Sequence, residues 1–166
     1  MEAVRSNRHP LAYEVAVAND PRWWRVSRRG LAPATIIETI GLFSAGVVIS
    51  SGLRDVGVAA LSETGAAGTG AIDVWCMPDE EARETTSSVM VELIASAFGV
   101  SGIRALYHDR FENDPHLLGP TEALWRHQAV FPAFALIDGV YEDRELRVLW
   151  REEFEDAFFQ PVVGVE

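Results

Sequence analysis

The sequence predicts an α+β fold, a mixed and mostly antiparallel sheet flanked by helices, and two observations support this prediction. Short apolar runs recur along the chain, and turn residues such as Ser51-Gly52 and Asp138-Gly139 separate some of them, as in β-hairpins. One helical pattern lies between the apolar runs Ala71–Met77 and Ile103–His108. Its apolar face is formed by Val89, Leu93, Ile94 and Phe98. We therefore expect the helix to cross over between two neighbouring strands.

The elements before residue 45 are predicted from weaker local signals. Residues 1–10 resemble a loose leader, and Leu11–Ala18 alternates as a strand before a turn. An Asp-Pro pair then precedes a predicted helix at Arg22–Arg29, since Pro suits the first turn of a helix. A second short helix is predicted at Ala34–Phe43.

The later elements have clearer boundaries. Gly46–Ser51 and Asp55–Leu61 form a predicted hairpin, and Thr85–Phe98 is a predicted helix that ends at Gly99. The polar segment 81–86, which leads into the start of this helix, is predicted to be a loop. After the strand at 103–108, the segment 109–119 is polar, and Pro115 and Pro120 leave little room for a helix. The chain ends with a predicted strand pair, Val130–Ile137 and Glu145–Trp150, and a trailing segment at Arg151–Phe159.

Composition limits the classes of function. A chain of 166 residues predicts a single domain over residues 1–166, and a net charge of −11 argues against nucleic acid as a partner. The same acidity permits a cationic substrate. A single Cys excludes an internal disulfide, and no apolar run reaches the length of a membrane span. The sequence therefore predicts a cytoplasmic protein without a membrane partner, and a homodimer is left open.

The segment 70–98 matches a known pattern without a gap. Its strand ends Trp75-Cys76-Met77-Pro78, and its helix runs through Leu93 to Ala97-Phe98. Three further matches follow in order, at Asn113, at Trp125 and at the ending Asp138-Gly139-Val140-Tyr141-Glu142-Asp143-Arg144 … Leu149-Trp150-Arg151-Glu152-Glu153-Phe154. Over roughly residues 45–154 the chain thus resembles the GCN5-related N-acetyltransferases, and especially the branch that acetylates protein N-termini and small amines.

The resemblance implies an acyl-CoA N-acyltransferase fold and transfer of an acyl group to the amine of a small molecule or peptide. The donor would be acetyl-CoA or another acyl thioester, and no metal is expected. The family's Arg-Gly-x-Gly-x-Gly loop for the diphosphate is replaced by a segment that includes Glu81, Ala82, Glu84 and Thr86. Negative charge beside a diphosphate predicts weak acetyl-CoA binding. The alternative is a repurposed fold that performs cyclisation, elimination or hydrolysis, or only binds a ligand.

The resemblance also suggests candidate site residues. Backbone groups of Trp75, Cys76 and Met77 would face the thioester, and the side chains of Arg83, Thr85, Thr86 and Asn113 would lie near the donor. Asp73, Tyr107 and Trp125 would line the substrate cleft. In the family, a Tyr that protonates the leaving group stands at the position of Pro120 in this sequence. The candidate catalytic residues are therefore Cys76 as nucleophile and His108 or His116 as acid or base. Each also has an ordinary structural explanation, as a core or surface residue.

Overall fold

The computed structural model describes residues 45–64, 66–77, 79–99, 102–137 and 139–159. The predicted leader, the strand Leu11–Ala18 and the helices Arg22–Arg29 and Ala34–Phe43 lie outside these residues, as do the turn positions Pro78 and Asp138. The organisation of the whole chain as one domain therefore stays a prediction.

The described residues form one mixed sheet with helices, which confirms the predicted α+β fold. In chain order the elements are β1 (Ala45–Ser51), β2 (Arg54–Glu63), β3 (Thr69–Cys76), α1 (Glu80–Ser88), α2 (Met90–Gly99), β4 (Ala105–Phe111), a 3-10 helix (Gly119–Leu124), β5 (Arg126–Ile137), β6 (Val140–Trp150) and α3 (Arg151–Phe158).

The six strands of the described sheet lie in the order β1-β2-β3-β4-β6-β5. Four neighbouring pairs are antiparallel, and only β3 and β4 run parallel. The predicted hairpin at residues 46–61 is confirmed as β1 and β2, and the predicted final strand pair is confirmed as β5 and β6. The two strands joined by the helical crossover are neighbours, as predicted.

The predicted helix Thr85–Phe98 and the polar loop before it are wrong in their boundaries. Helical structure begins at Glu80, where the side chain of Asp79 accepts a hydrogen bond from the backbone N–H of Ala82. It is then interrupted by a turn at Val89, so that α1 and α2 are separate helices. The Ser and Thr residues at the end of α1 favour this break because their hydroxyls compete for backbone groups, as Ser88 Oγ does by donating to Thr85 O.

The main core lies between the sheet and helices α1 and α2. Ile72, Val74 and Cys76 of β3 alternate into it and pack with Leu106 of β4 and with apolar residues of α2. The ring centroids of Phe98 in α2 and Phe154 in α3 are 5.5 Å apart, so α3 packs into the same core. The odd-numbered residues of β3 and β4 consequently point to the opposite face of the sheet.

Candidate active site

The parallel strands β3 and β4 separate soon after they meet. Their pairing covers only Thr69–Ala71 with Ala105–Tyr107, although β3 continues to Cys76 and β4 to Phe111. We call the gap that opens from Ile72 and His108 toward Cys76 and Phe111 the wedge. The wedge lies between the two strands that the sequence predicts to be neighbours.

Backbone groups of β3 face the wedge at alternate residues. Met77 N–H donates to Val56 O on the β2 side at 2.8 Å, whereas Ile72 O points to β4. Since successive residues of a strand direct their backbone groups to opposite sides, those of Val74 and Cys76 face the wedge. The backbone N–H of Met77, predicted to face a thioester, is instead bonded to β2.

His108 lies at the narrow end of the wedge. Its Nδ1 is 3.0 Å from Ile72 O, and its ring meets the Trp125 ring edge-on at 5.8 Å between centroids. Both residues are buried. Trp125, predicted to line the substrate cleft, thus packs in the core beside His108, and its Nε1 donates to Thr121 Oγ1 at 3.1 Å.

A groove of about 470 Å³ lies on the opposite face of the sheet, over the narrow end of the wedge. Its walls include Asp73, Tyr107, Asp109 and Leu146. The structure therefore brings together two of the predicted cleft residues, Asp73 and Tyr107. Asp109 is an additional carboxylate that the sequence analysis did not select.

Arg144 fixes the carboxylate of Asp109. Its Nε lies 2.9 and 2.8 Å from the two carboxylate oxygens, and its guanidinium stacks over the Phe134 ring at 4.8 Å from the centroid. The hydrogen bond to Asp109 raises the pKa of Arg144 against the opposing effect of burial. The ion pair and the aromatic ring hold Asp109 in one orientation at the groove wall.

The N-terminus of α1 is closed by side chains of its cap and first turn, together with residues of the β1–β2 hairpin. Asp79 caps the helix, and Arg54 forms ion pairs with both Asp79 and Glu81. Glu81 also accepts a hydrogen bond from Ser51 Oγ at 2.8 Å. Two carboxylates therefore occupy the end of the helix that would otherwise attract an anion.

The predicted donor-binding residues of this region differ in their exposure. Arg83 is exposed on α1 and Thr85 is half-buried, whereas Thr86 is fully buried against the sheet. Thr86 Oγ1 is buried away from solvent and has no hydrogen-bond partner within the described part of the chain. Asn113 is exposed in the turn after β4.

A polar network lies beside the open end of β4, and of its residues only His116 is among the predicted site residues. Arg110 and Arg147 are buried, and Arg147 donates to Glu122 Oε1 at 2.5 Å and to Glu145 Oε2 at 2.9 Å. His116 Nδ1 lies 3.0 Å from both Arg110 Nη1 and Glu122 Oε1. Since Arg only donates and carboxylate only accepts, one ring nitrogen can satisfy only one of them at a time.

The charge of Glu122 is stabilised within this network. Burial alone would raise the pKa of Glu122, but the hydrogen bonds from His116 and Arg147 outweigh it, so the pKa is lowered.

The 3-10 helix that carries Glu122 begins at Gly119, which has a φ of +54°. A Cβ there would lie 2.2 Å from Ser87 O, so glycine lets this helix lie directly on α1.

Cys76 lies at the open end of β3 and is completely buried, as a free thiol. Burial raises the pKa of this thiol from 9.0 to about 11, which outweighs the opposing effect of Arg83. The neutral form therefore dominates, which argues against the predicted nucleophile role. Trp75 is also buried, and its side chain points to the opposite face from Cys76.

The three predicted catalytic residues thus lie at different places. His108 is at the narrow end of the wedge, Cys76 is at the open end of β3, and the exposed His116 is in the segment after β4, where it contacts Arg110. Their catalytic roles stay predictions. Within the described residues, no group of three or more His, Cys, Asp and Glu side chains could hold a metal ion.

Comparison with known proteins identifies the fold. No family model and no curated protein matches the sequence. Among solved structures, mutant forms of the spermidine/spermine N-acetyltransferase SpeG from Vibrio cholerae match with a TM-score of 0.68 at 10% identity, over 95% of this chain and 99% of theirs. A GCN5-related N-acetyltransferase from Brucella melitensis matches with a TM-score of 0.61 at 14% identity, over 94% of this chain and 78% of its own.

These similarities show that the chain has the fold of the GCN5-related N-acetyltransferases, as its sequence predicts. The closer likeness to the branch that acetylates protein N-termini and small amines stays a prediction. No helix in the part of the chain that the structure describes is long and apolar enough to cross a bilayer.

Proposed function

We propose that this protein transfers an acyl group from a pantetheine thioester to an amine. The main support is the wedge, where two strands of the sheet separate and the backbone groups of Val74 and Cys76 face the gap. An extended pantetheine arm carries amide groups that such a strand edge can pair with. A thioester bound there supplies the acyl group and a thiol leaving group.

The donor in this proposal is held by its pantetheine arm and not by its diphosphate. Asp79 and Glu81 occupy the N-terminus of α1, where a diphosphate would need unpaired N–H groups and positive charge. These residues do not fit that part of CoA. A thioester carried on another protein therefore suits the site at least as well as free acetyl-CoA.

The roles of this chain's residues follow from their positions. A backbone N–H of Val74 or Cys76 would donate to the carbonyl oxygen as negative charge develops on it. His116, exposed and in contact with Glu122, is the candidate proton carrier at the open end. The acceptor would be a cationic small-molecule or peptide amine, since Asp73 adds a carboxylate to the groove beyond that of Asp109, which Arg144 already pairs.

An acylation assay tests the proposal. The protein is incubated with acetyl-CoA or acetyl-pantetheine and a panel of polyamines, arylalkylamines and peptides. Released thiol and product mass are then measured. We expect an acetylated amine, with similar kcat/KM for both donors, because the diphosphate adds little binding. His116→Ala should lower kcat by roughly 100-fold, and His127→Ala, an exposed histidine of β5, should leave it unchanged.

Other outcomes of this assay contradict the proposal. Thiol release that does not depend on the amine would indicate hydrolysis, and the absence of turnover with every donor would favour the repurposed fold. A strong preference for acetyl-CoA over acetyl-pantetheine would contradict the proposed mode of donor binding.

A further inference from the structure

The hydrogen bond at the narrow end of the wedge replaces a rung of the parallel ladder. β3 and β4 pair in register up to Ala71 with Tyr107, so the next pair would be Ile72 with His108. In a regular parallel ladder, Ile72 O would accept from the backbone N–H of the residue after its partner, Asp109. Here the pairing stops, and Ile72 O lies 3.0 Å from Nδ1 of the His108 side chain.

The chemistry of this contact defines the state of the ring. A carbonyl oxygen only accepts hydrogen bonds, so Nδ1 must carry the hydrogen. Neutral His108 is therefore the Nδ1–H tautomer. The side-chain Nδ1 thus donates to the carbonyl oxygen that the next backbone donor of the ladder would use, so the two strands are joined across an imidazole ring.

The ring has little freedom to move. His108 is 9% exposed, and its ring packs edge-on against Trp125. Trp125 is held by its hydrogen bond to Thr121, which in turn donates to Leu118 O at 2.7 Å. The buried Arg147 lies opposite His108 in the β4–β6 register. His108 is thus fixed from the side of the 3-10 helix.

We infer that His108 is a positioning residue that sets where the wedge begins and how wide it opens, and that it does not carry a proton in the reaction. The kinetic consequences rest on the proposed acyl transfer. Without the ring, Ile72 O and the backbone N–H of Asp109 can form the missing rung. The wedge would then start one register position later and offer less room to the thioester.

Two substitutions separate positioning from proton transfer. His108→Asn places an amide N–H close to the position of Nδ1 but cannot act as acid or base near neutral pH, whereas His108→Ala removes the donor. We expect His108→Ala to raise KM for acetyl-pantetheine at least 10-fold. His108→Asn should stay within about threefold of the parent, with an unchanged pH profile of kcat/KM. If His108→Asn loses as much kcat as His108→Ala, or loses one limb of that profile, the inference is wrong. His127→Ala is the matched control.

A measurement without turnover separates this inference from the proposed function. Long-range ¹H–¹⁵N NMR of the parent protein should show neutral His108 with its hydrogen on Nδ1, slowly exchanging with solvent. A hydrogen on Nε2 or fast exchange of the Nδ1 hydrogen would overturn the inference, even if acyl transfer is confirmed. If no acyl transfer is found, the same spectrum still decides whether His108 joins the strands. It also decides the matter if His108→Ala does not fold.

Discussion

Alkaline pH tests the buried environment of Cys76. Burial raises the pKa of its thiol from 9.0 to about 11 in the folded protein. The unfolded chain therefore releases this proton at a lower pH than the folded chain does. Stability should be constant with respect to this group below pH 9 and should fall as the pH rises from about 9 to 11.

The size of the effect follows from the two pKa values. Each unit of pKa difference corresponds to about 1.4 kcal/mol, and the folded thiol is itself half ionised at pH 11, so the shift from 9.0 to about 11 predicts a loss of about 2 kcal/mol by pH 11. The chain is well suited to this measurement because it contains no Lys.

The assay is urea unfolding at pH 8, 9, 10 and 11, followed by tryptophan fluorescence, on the parent protein and on Cys76→Ser. The serine hydroxyl does not ionise in this range, and every other titratable group is the same in both proteins, so the difference between them reports on Cys76. The parent should lose about 2 kcal/mol more than the variant between pH 9 and 11. Equal losses in the two proteins would refute the reasoning. They would also restore Cys76 as a candidate nucleophile, since its thiol would then ionise normally.

Two further substitutions test the packing and the polar network. Glu122→Gln should make the stability of the protein depend less on pH below neutrality. The reason is that a carboxyl group with a lowered pKa contributes stability at neutral pH, which is lost as the pH falls through the lowered value. Thermal melts from pH 7 to 3 measure this dependence, and equal slopes in parent and variant would contradict the prediction. Gly57→Ala should cost about 1–3 kcal/mol, because its Cβ would lie 2.4 Å from Thr86 Oγ1 and 3.0 Å from Trp75 O. Gly46→Ala, with no atom within 4 Å, is the control, and Thr86→Ala should relieve part of the cost.

The sequence predicts the sheet better than the helices. Apolar runs and turn residues locate the β1–β2 hairpin, and the crossover pattern correctly makes β3 and β4 neighbours. The start of α1 was missed because the resemblance suggested a loop at residues 81–86. A local signal was nevertheless present, since Asp79 stands where an N-cap belongs and Glu80 and Glu81 suit the first helical turn.

The site could be predicted only in part. Asp73 and Tyr107 lie on the two strands that frame the groove, and both line it; their role in substrate binding stays a prediction. The contacts of Glu122 with Arg147, and of Arg144 with Asp109, join residues 25 and 35 positions apart. No local pattern reports such contacts. The burial of Thr86 and Cys76 likewise depends on how α1 lies on the sheet, which residue type alone does not indicate.

Calorimetric titration with acetyl-CoA tests most directly whether the N-terminus of α1 is closed to a diphosphate. Because Asp79 and Glu81 occupy that end of the helix, we expect a Kd weaker than roughly 100 µM, corresponding to a binding free energy of about −5.5 kcal/mol. Acetyl-pantetheine should bind within a few-fold of that value. Micromolar affinity for acetyl-CoA that weakens on Arg83→Ala or Thr86→Ala would show that this helix end binds the diphosphate, and it would contradict the proposed mode of donor binding.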